Sequence, residues 1–280
     1  MNKPTVQDIF LRFYPAYLEK YSPSPEQAKV SRNIINCKTG AYGANVSICE
    51  DCGTVQIHYN SCRNRCCPMC QAVPKEMWMD ARREDVLDAP YFHLVFTVPD
   101  ILNPVIYSNQ KQLYDTLYHA ASATISELAA DPKHLGAVAG YICILHTWGS
   151  EMNFHPHIHT ILLGGGLTPK NEWKDNGTEF FLPIQVISKV FRGKYMEELK
   201  NLWETDRLEF HGTAEKYRNH YAFKELLDTC YSAEWIPYCK KTFHGAQSVI
   251  DYLGKYTHRI AISNHRIIHM DDETVTFSVK

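Results

Sequence analysis

The stretch HPHIHTILL, residues 155–163, sets an imidazole at every second position and runs on into apolar residues. In a β-strand, residues i and i+2 project from one face, about 6.5–7 Å apart. His155, His157 and His159 therefore share a face, while Ile158 turns to the core. Neighbouring imidazoles at this spacing can converge on one metal ion, and His157 with His159 suits this best. His155 lies two strand steps from His159, too far for easy sharing. Purely structural histidines are the other reading, and their alternation beside an apolar run argues against it. A cupin also carries an H-x-H strand, but wants a glutamate shortly after it and a glycine six positions before. TILLGGG follows here and Glu151 holds the earlier position, which excludes that fold. Two histidines leave room for a third protein ligand, water and a substrate oxygen, the open coordination that a Lewis-acid site needs.

Outward from this strand, YFHLVFTV (91–98) reads as another, rich in aromatic and β-branched residues. A helical stretch covers about 104–130, with apolar spacing at Leu113, Leu117 and Ala120. AVAGYICILHTW (137–148) pairs with HPHIHTILL across GSEMN, and GGG at 164–166 is expected to end the second strand. Helices are expected over 184–204 and 213–229, a strand at WIPYCKK, a helix at AQSVIDYLGKYTHR and a hairpin around Asn264. The order β, α, β–β, helices, β, α, β–β predicts an α+β fold. It is a central antiparallel sheet with helices on one face, of the ferredoxin-like kind.

Residues 1–88 read as a separate small helical unit, ahead of a second domain at 89–280. Helices at 5–21 and 24–36, the first interrupted at Pro15, precede a cysteine-rich segment. QAVPKEMWMDARREDVLD then leads out as a helix. Seven of the chain's ten cysteines lie between Cys37 and Cys70. In a reducing compartment that density points to metal rather than disulfides. Cys49-x-x-Cys52 and Cys67-x-x-Cys70 form two knuckles, predicting one structural Zn²⁺ in a closed four-thiolate site. Cys37, Cys62 and Cys66, with His58 as the nearest imidazole, would supply a second zinc site or remain buried spare thiols.

At 280 residues and 45% hydrophobic content the chain can bury a sizeable core. Its longest apolar run, AVAGYICIL, is about half a membrane span, and a soluble, cytoplasmic protein is expected. The net charge of −2 does not mark a nucleic-acid binder. From Trp235 to His269, however, Lys240, Lys241, Lys255, Arg259 and Arg266 face one acid, Asp251. Such a stripe suits a phosphate backbone or is simply a solvated basic face. Within it, Tyr252 and Tyr256 share one helix face, flanked by Lys255, His258 and Arg259. Phenols need cationic or metal help to attack as phenolates; an aromatic face packed in the core is the bland alternative.

Together, YNSCRNRCCPMCQ, FHLVFTVPD, LHTWG, HPHIH, GGGL and YLGKYTHRIAISNHRI resemble the two-tyrosine HUH transposases, specifically the bacterial insertion-sequence ninety-one group. The resemblance covers nearly the whole chain. It implies a zinc-binding N-terminal domain and an HUH catalytic domain. It further implies a single-strand DNA endonuclease and strand transferase that works by a rolling-circle-like route through a 5′-phosphotyrosine. It makes His157 and His159 the ligands of a catalytic Mg²⁺ or Mn²⁺, with Gln247, His155 or His146 as candidates for the third. It makes Tyr252 and Tyr256 the nucleophiles and Lys255, His258, Arg259 and Arg266 DNA contacts. Cys66 and Asn45 stand where the family commonly has histidine. The family usually runs on past the tyrosine motif, so the resemblance implies a C-terminally incomplete catalytic domain. Two lesser readings are a non-catalytic, zinc-dependent DNA-binding descendant and a metal phosphodiesterase using water.

Overall fold

A computed structural model describes residues 3–175, 182–235, 237–243, 248, 249, 251, 252, 254 and 260–279. The chain divides into two compact units. One is Met1–Arg82 with Ser150–Met152 and Thr257–Lys280; the other is Arg83–Gly149 with Asn153–Tyr256.

In the first unit, Thr5 caps helix α1 (Val6–Lys20) through a reciprocal pair with Asp8, and Ser24 caps α2 (Pro25–Asn36) likewise with Gln27. The helix passes Pro15 without a break: a proline removes one donor and bends a helix, and α1 continues beyond that missing bond. Strands β1 (Ala44–Ile48) and β2 (Val55–Tyr59) form an antiparallel hairpin with Asn45 opposite His58. Helix α3 (Ala72–Arg83) follows the last cysteine. The C-terminal residues return to this unit. Val6 N–H donates to Asn264 Oδ1 at 3.0 Å, and Ile267 is fully buried with Val6, Ile34, Cys37 and Cys67.

The second unit is built on β3 (Tyr91–Thr97), α4 (Asn103–Ser108), α5 (Gln110–Ala130), β4 (Val138–Trp148), β5 (Phe154–Leu167), β6 (Trp173–Asp175), α6 (Ile184–Glu204), α7 (His220–Ser232) and β7 (Tyr238–Phe243). The strand order is β4-β5-β3-β7, every neighbour antiparallel, with β6 added to the end of β5. A β-α-β-β-α-β chain with its first and third strands central is the expected ferredoxin-like sheet. Alternation divides its two faces. Phe92, Leu94 and Phe96 of β3 and Ile158 and Leu162 of β5 enter one core with Leu117, Ala121 and Ile125 of α5 and Phe191, Tyr195 and Leu199 of α6.

Three local expectations need correction. The helix over 104–130 is broken at Asn109, whose buried side chain donates to Val105 O at 2.9 Å and Glu209 O at 2.7 Å. The GGG run does not end β5: the strand continues to Leu167 because these glycines admit neighbouring backbone. A Cβ on Gly166 would sit 2.3 Å from Val138 O. The C-terminal hairpin turns at 271–274 rather than at Asn264, pairing β8 (Ile267–Met270) with β9 (Val275–Phe277).

Candidate catalytic and metal centres

The core-facing side of β5 carries Ile158 and Leu162; the other side carries His157, His159 and Ile161. The register sets His146 of β4 opposite His157 and Val95 of β3 opposite His159. His93 is two residues from Val95, so it falls on the same face, diagonal to His159. Four imidazoles thus gather from three strands, each less than a tenth exposed.

Their hydrogen bonds set the tautomers. His157 Nδ1 lies 2.7 Å from His155 O, an acceptor only, so Nδ1 carries the proton and Nε2 its lone pair. His157 Nε2 is 3.0 Å from His159 Nε2, and the ligand atoms of His146, His157 and His159 all lie within 4.8 Å of one another. Two imidazole nitrogens, each about 2.1 Å from one ion and at right angles, would lie about 3.0 Å apart; this set fits a divalent cation. With Nε2 of His159 given to metal, its Nδ1–H donates to His93 Nε2 at 2.8 Å. Burial holds the imidazoles neutral. His93 and His157 titrate at about 4 and His159 at about 2, with neighbouring imidazoles adding to the fall. Neutral rings are what metal ligation requires.

Tyr252 meets this group: its hydroxyl is 2.9 Å from Nδ1 and 2.7 Å from Nε2 of His93, and the rings are 4.7 Å apart. With His93 Nε2 accepting from His159, the Nδ1–H of His93 is left to donate to the phenolic oxygen, which favours its ionised form. Tyr238 of β7 adds a ring edge, 6.0 Å from His93. His155 stands outside the cluster. Its Nδ1 pairs with Asp100 at 3.2 Å, and it serves the centre through its carbonyl. Of the histidines weighed as third ligand, His146 is the one brought to the pair. Gln247, Tyr256, Lys255, His258 and Arg259 lie outside the described residues. Arg266 is committed elsewhere: it donates to the carbonyls of Ser150, Ala261 and Ser278 and covers the Phe277 ring, a clamp on the C-terminal hairpin.

The cysteines gather differently from the two-knuckle expectation. Cys37, Cys62, Cys67 and Cys70 form the four-thiol cluster, with Cys70 Sγ 3.4 Å from Cys37 Sγ and 3.5 Å from Cys62 Sγ. Tetrahedral Zn–S bonds of about 2.3 Å imply S···S separations of about 3.8 Å, and the four thiols fit that ion. Burial pushes Cys37 up to about 11 and Cys62 higher still. It raises Cys70 too, but the thiols of Cys37 and Cys62 donate to that sulfur and carry it below its usual value. Cys49 and Cys52 sit exposed on the turn between β1 and β2, outside the cluster; half-buried Cys66, and His58 of β2, are also outside it. Local C-x-x-C spacing misdirected the expectation because a knuckle supplies half a site and only the fold chooses the other half. His93 was missed for a similar reason: a polar residue within the apolar run YFHLVFTV was visible, but its neighbour on β5 was not.

Residues 140–280 match the family model described as putative transposase, and residues 9–98 match the transposase zinc-binding domain. The chain is 39% identical over 279 residues to the putative transposase y4qJ of Sinorhizobium fredii, covering 99% of this chain and 70% of that protein. It is 25% identical over 291 residues to the transposase for insertion sequence element IS801 of Pseudomonas savastanoi pv. phaseolicola, covering 95% and 68%. Among solved structures, TrwC complexed with a 27-mer DNA aligns at TM-score 0.31 and 17% identity, over 39% of this chain and 44% of that one. The metal-bound conjugative relaxase TrwC in complex with oriT DNA aligns at TM-score 0.32 and 13% identity, over 61% and 72%. No described helix is long and apolar enough to cross a membrane. The chain belongs to the transposase family of the insertion-sequence ninety-one group, with a zinc-binding domain at its N-terminal end.

Proposed function

We propose that the chain is a metal-dependent endonuclease and strand transferase for single-stranded DNA, with Tyr252 and Tyr256 as nucleophiles. The observation that carries this reading is one hydrogen-bonded line, from the Tyr252 hydroxyl through His93 to His159, ending where the ring nitrogens of His146, His157 and His159 converge. A divalent ion held by those three imidazoles would polarise the scissile phosphate. Mg²⁺ demands near-ideal octahedral oxygen ligation and dehydrates reluctantly, so Mn²⁺ is the better cofactor of the two expected.

His93 orients the phenol and stabilises its oxygen as the phenolic proton passes to solvent water. That oxygen attacks phosphorus, the bond to the 3′ oxygen breaks, and the 3′ oxygen takes up a proton. The products are a 5′-phosphotyrosine and a free 3′-hydroxyl, and reversal on another strand joins DNA without an external energy source. Zn²⁺ in the Cys37, Cys62, Cys67 and Cys70 site has no open position, so its role is to hold the N-terminal fold.

The test is incubation with labelled single-stranded DNA carrying an element end and Mn²⁺, read on a denaturing gel. A protein-sized band shift is expected, lost in Tyr252→Phe/Tyr256→Phe. Cleavage with no covalent adduct would make water the nucleophile and overturn the proposal, as would binding without cleavage under every divalent ion.

A further inference from the structure

We propose that a polar cleft of the zinc-binding unit, lined among others by Lys38, Tyr42, Asn45, His58 and Arg63, holds a phosphate and an adjoining base of single-stranded DNA. This rests on the reading that the chain acts on such DNA. The cleft encloses about 570 Å³ and no carboxylate lines it. Lys38 and Arg63 are both exposed, and among the described residues neither is ion-paired. Two cations with no acid between them suit a phosphodiester.

Both cations spring from held backbone. Each directly follows a cysteine of the four-thiol cluster, Cys37 and Cys62, and each takes the left-handed conformation, with φ 56° and 52°. A bulky residue persists there only where its surroundings impose it. Asn60 ties the floor together. Its N–H donates to Gly43 O at 3.0 Å, its carbonyl accepts from Lys38 N at 3.1 Å, and its side chain bonds Tyr42 O at 2.9 Å and Asn45 at 3.1 Å. The Tyr42 hydroxyl donates to Asn33 Oδ1 at 2.7 Å while the residue stays 36% exposed. A ring anchored at its hydroxyl and open to solvent is a stacking platform for a base. Bases in a duplex already stack on one another, which selects the single strand. The cleft shares no residue with the tyrosine and histidine centre, so it is a separate DNA contact on the zinc-binding unit.

The experiment is fluorescence anisotropy of a labelled single-stranded oligonucleotide over a salt series, using the full zinc-loaded chain with Tyr252→Phe in the background. Lys38→Gln/Arg63→Gln is expected to weaken binding at least about 10-fold at low salt. It should also flatten the log affinity against log salt line by about 0.7, the contribution of one neutralised phosphate on a single strand. Tyr42→Ala should weaken binding about 10-fold at every salt concentration, with the slope kept. Lys38→Arg/Arg63→Lys should bind like the parent, and equal zinc content across the set shows that the fold is retained. Unchanged affinity and slope in Lys38→Gln/Arg63→Gln would overturn the proposal, as would a duplex losing as much from Tyr42→Ala as the single strand does. Neither result bears on adduct formation by Tyr252, which is measured separately on the gel, so failure of the cleft and failure of the nuclease reading are distinguishable.

Discussion

The hydroxyl of Tyr252 lies 2.7 Å from Nε2 of His93, a residue 159 positions earlier, and that same imidazole is 2.8 Å from His159 Nδ1. One buried ring therefore links the phenol to the cation-binding cluster. Removing it takes one hydrogen bond from the phenol oxygen as that oxygen becomes charged, worth about 1.5–3 kcal/mol. His93→Ala is expected to slow adduct formation roughly 10–100-fold at saturating Mn²⁺. The alkaline shift of the pH–rate profile is the sharper readout, because a donor to the phenolate lowers its pKa. His93→Asn, which keeps a donor near Nδ1, should recover part of both; an unshifted profile in His93→Ala would show that His93 only packs.

Metal affinity should divide the four weighed histidines. His146→Ala is expected to weaken Mn²⁺ binding by at least about 100-fold, since even outer-shell partners of such ligands carry 10–100-fold. His155→Ala should leave affinity nearly unchanged, because its contribution to the centre is a backbone carbonyl. Calorimetric titration of Mn²⁺ into each variant checks the contrast. Equal losses would mean the third ligand is wrongly assigned.

Zinc content should follow the four clustered thiols rather than the exposed knuckle. Cys37→Ser and Cys70→Ser are expected to lower bound zinc by about one ion per chain and to sharply reduce the thermal stability of the N-terminal unit, as ligation is folding energy in such sites. Cys49→Ser and Cys52→Ser should change neither quantity. Metal analysis with melting curves decides; zinc loss in Cys49→Ser would restore the two-knuckle site.

The C-terminal hairpin carries an acid-sensitive turn. Asp271 accepts from Glu273 N at 2.9 Å, Thr274 N at 2.7 Å and Thr274 Oγ1 at 2.8 Å. These bonds hold its carboxyl at about 2, below the ordinary 3.8. A depressed carboxylate stabilises the fold fully above its unfolded value and loses that contribution as pH falls towards the folded one. The stability gap between the parent and Asp271→Asn should therefore be constant above about pH 4 and close between pH 4 and 2. Chemical denaturation across that range measures it. A gap that widens with acid would contradict the turn.

Much of this molecule is decided locally. Thr5 and Ser24 with their partners three residues on start the first two helices within a residue of their expected positions, because capping is a contact inside one turn. Alternation in YFHLVFTV and HPHIHTILL separates core from site face, because pleating is a property of each strand alone. The pairing of His157 with His159 is legible for the same reason. What lies beyond one strand or one turn was settled by tertiary structure. His93 and His146 come beside His159 only through the register of β3 and β4 on β5. Cys37 and Cys62, rather than Cys49 and Cys52, join Cys67 and Cys70 because the folded chain, not sequence spacing, decides which thiols converge. Arg266, basic in sequence, is spent on three carbonyls that only the folded hairpin presents. A short motif fixes which side of an element a residue occupies; the partner across the gap depends on long-range pairing, which no local pattern encodes.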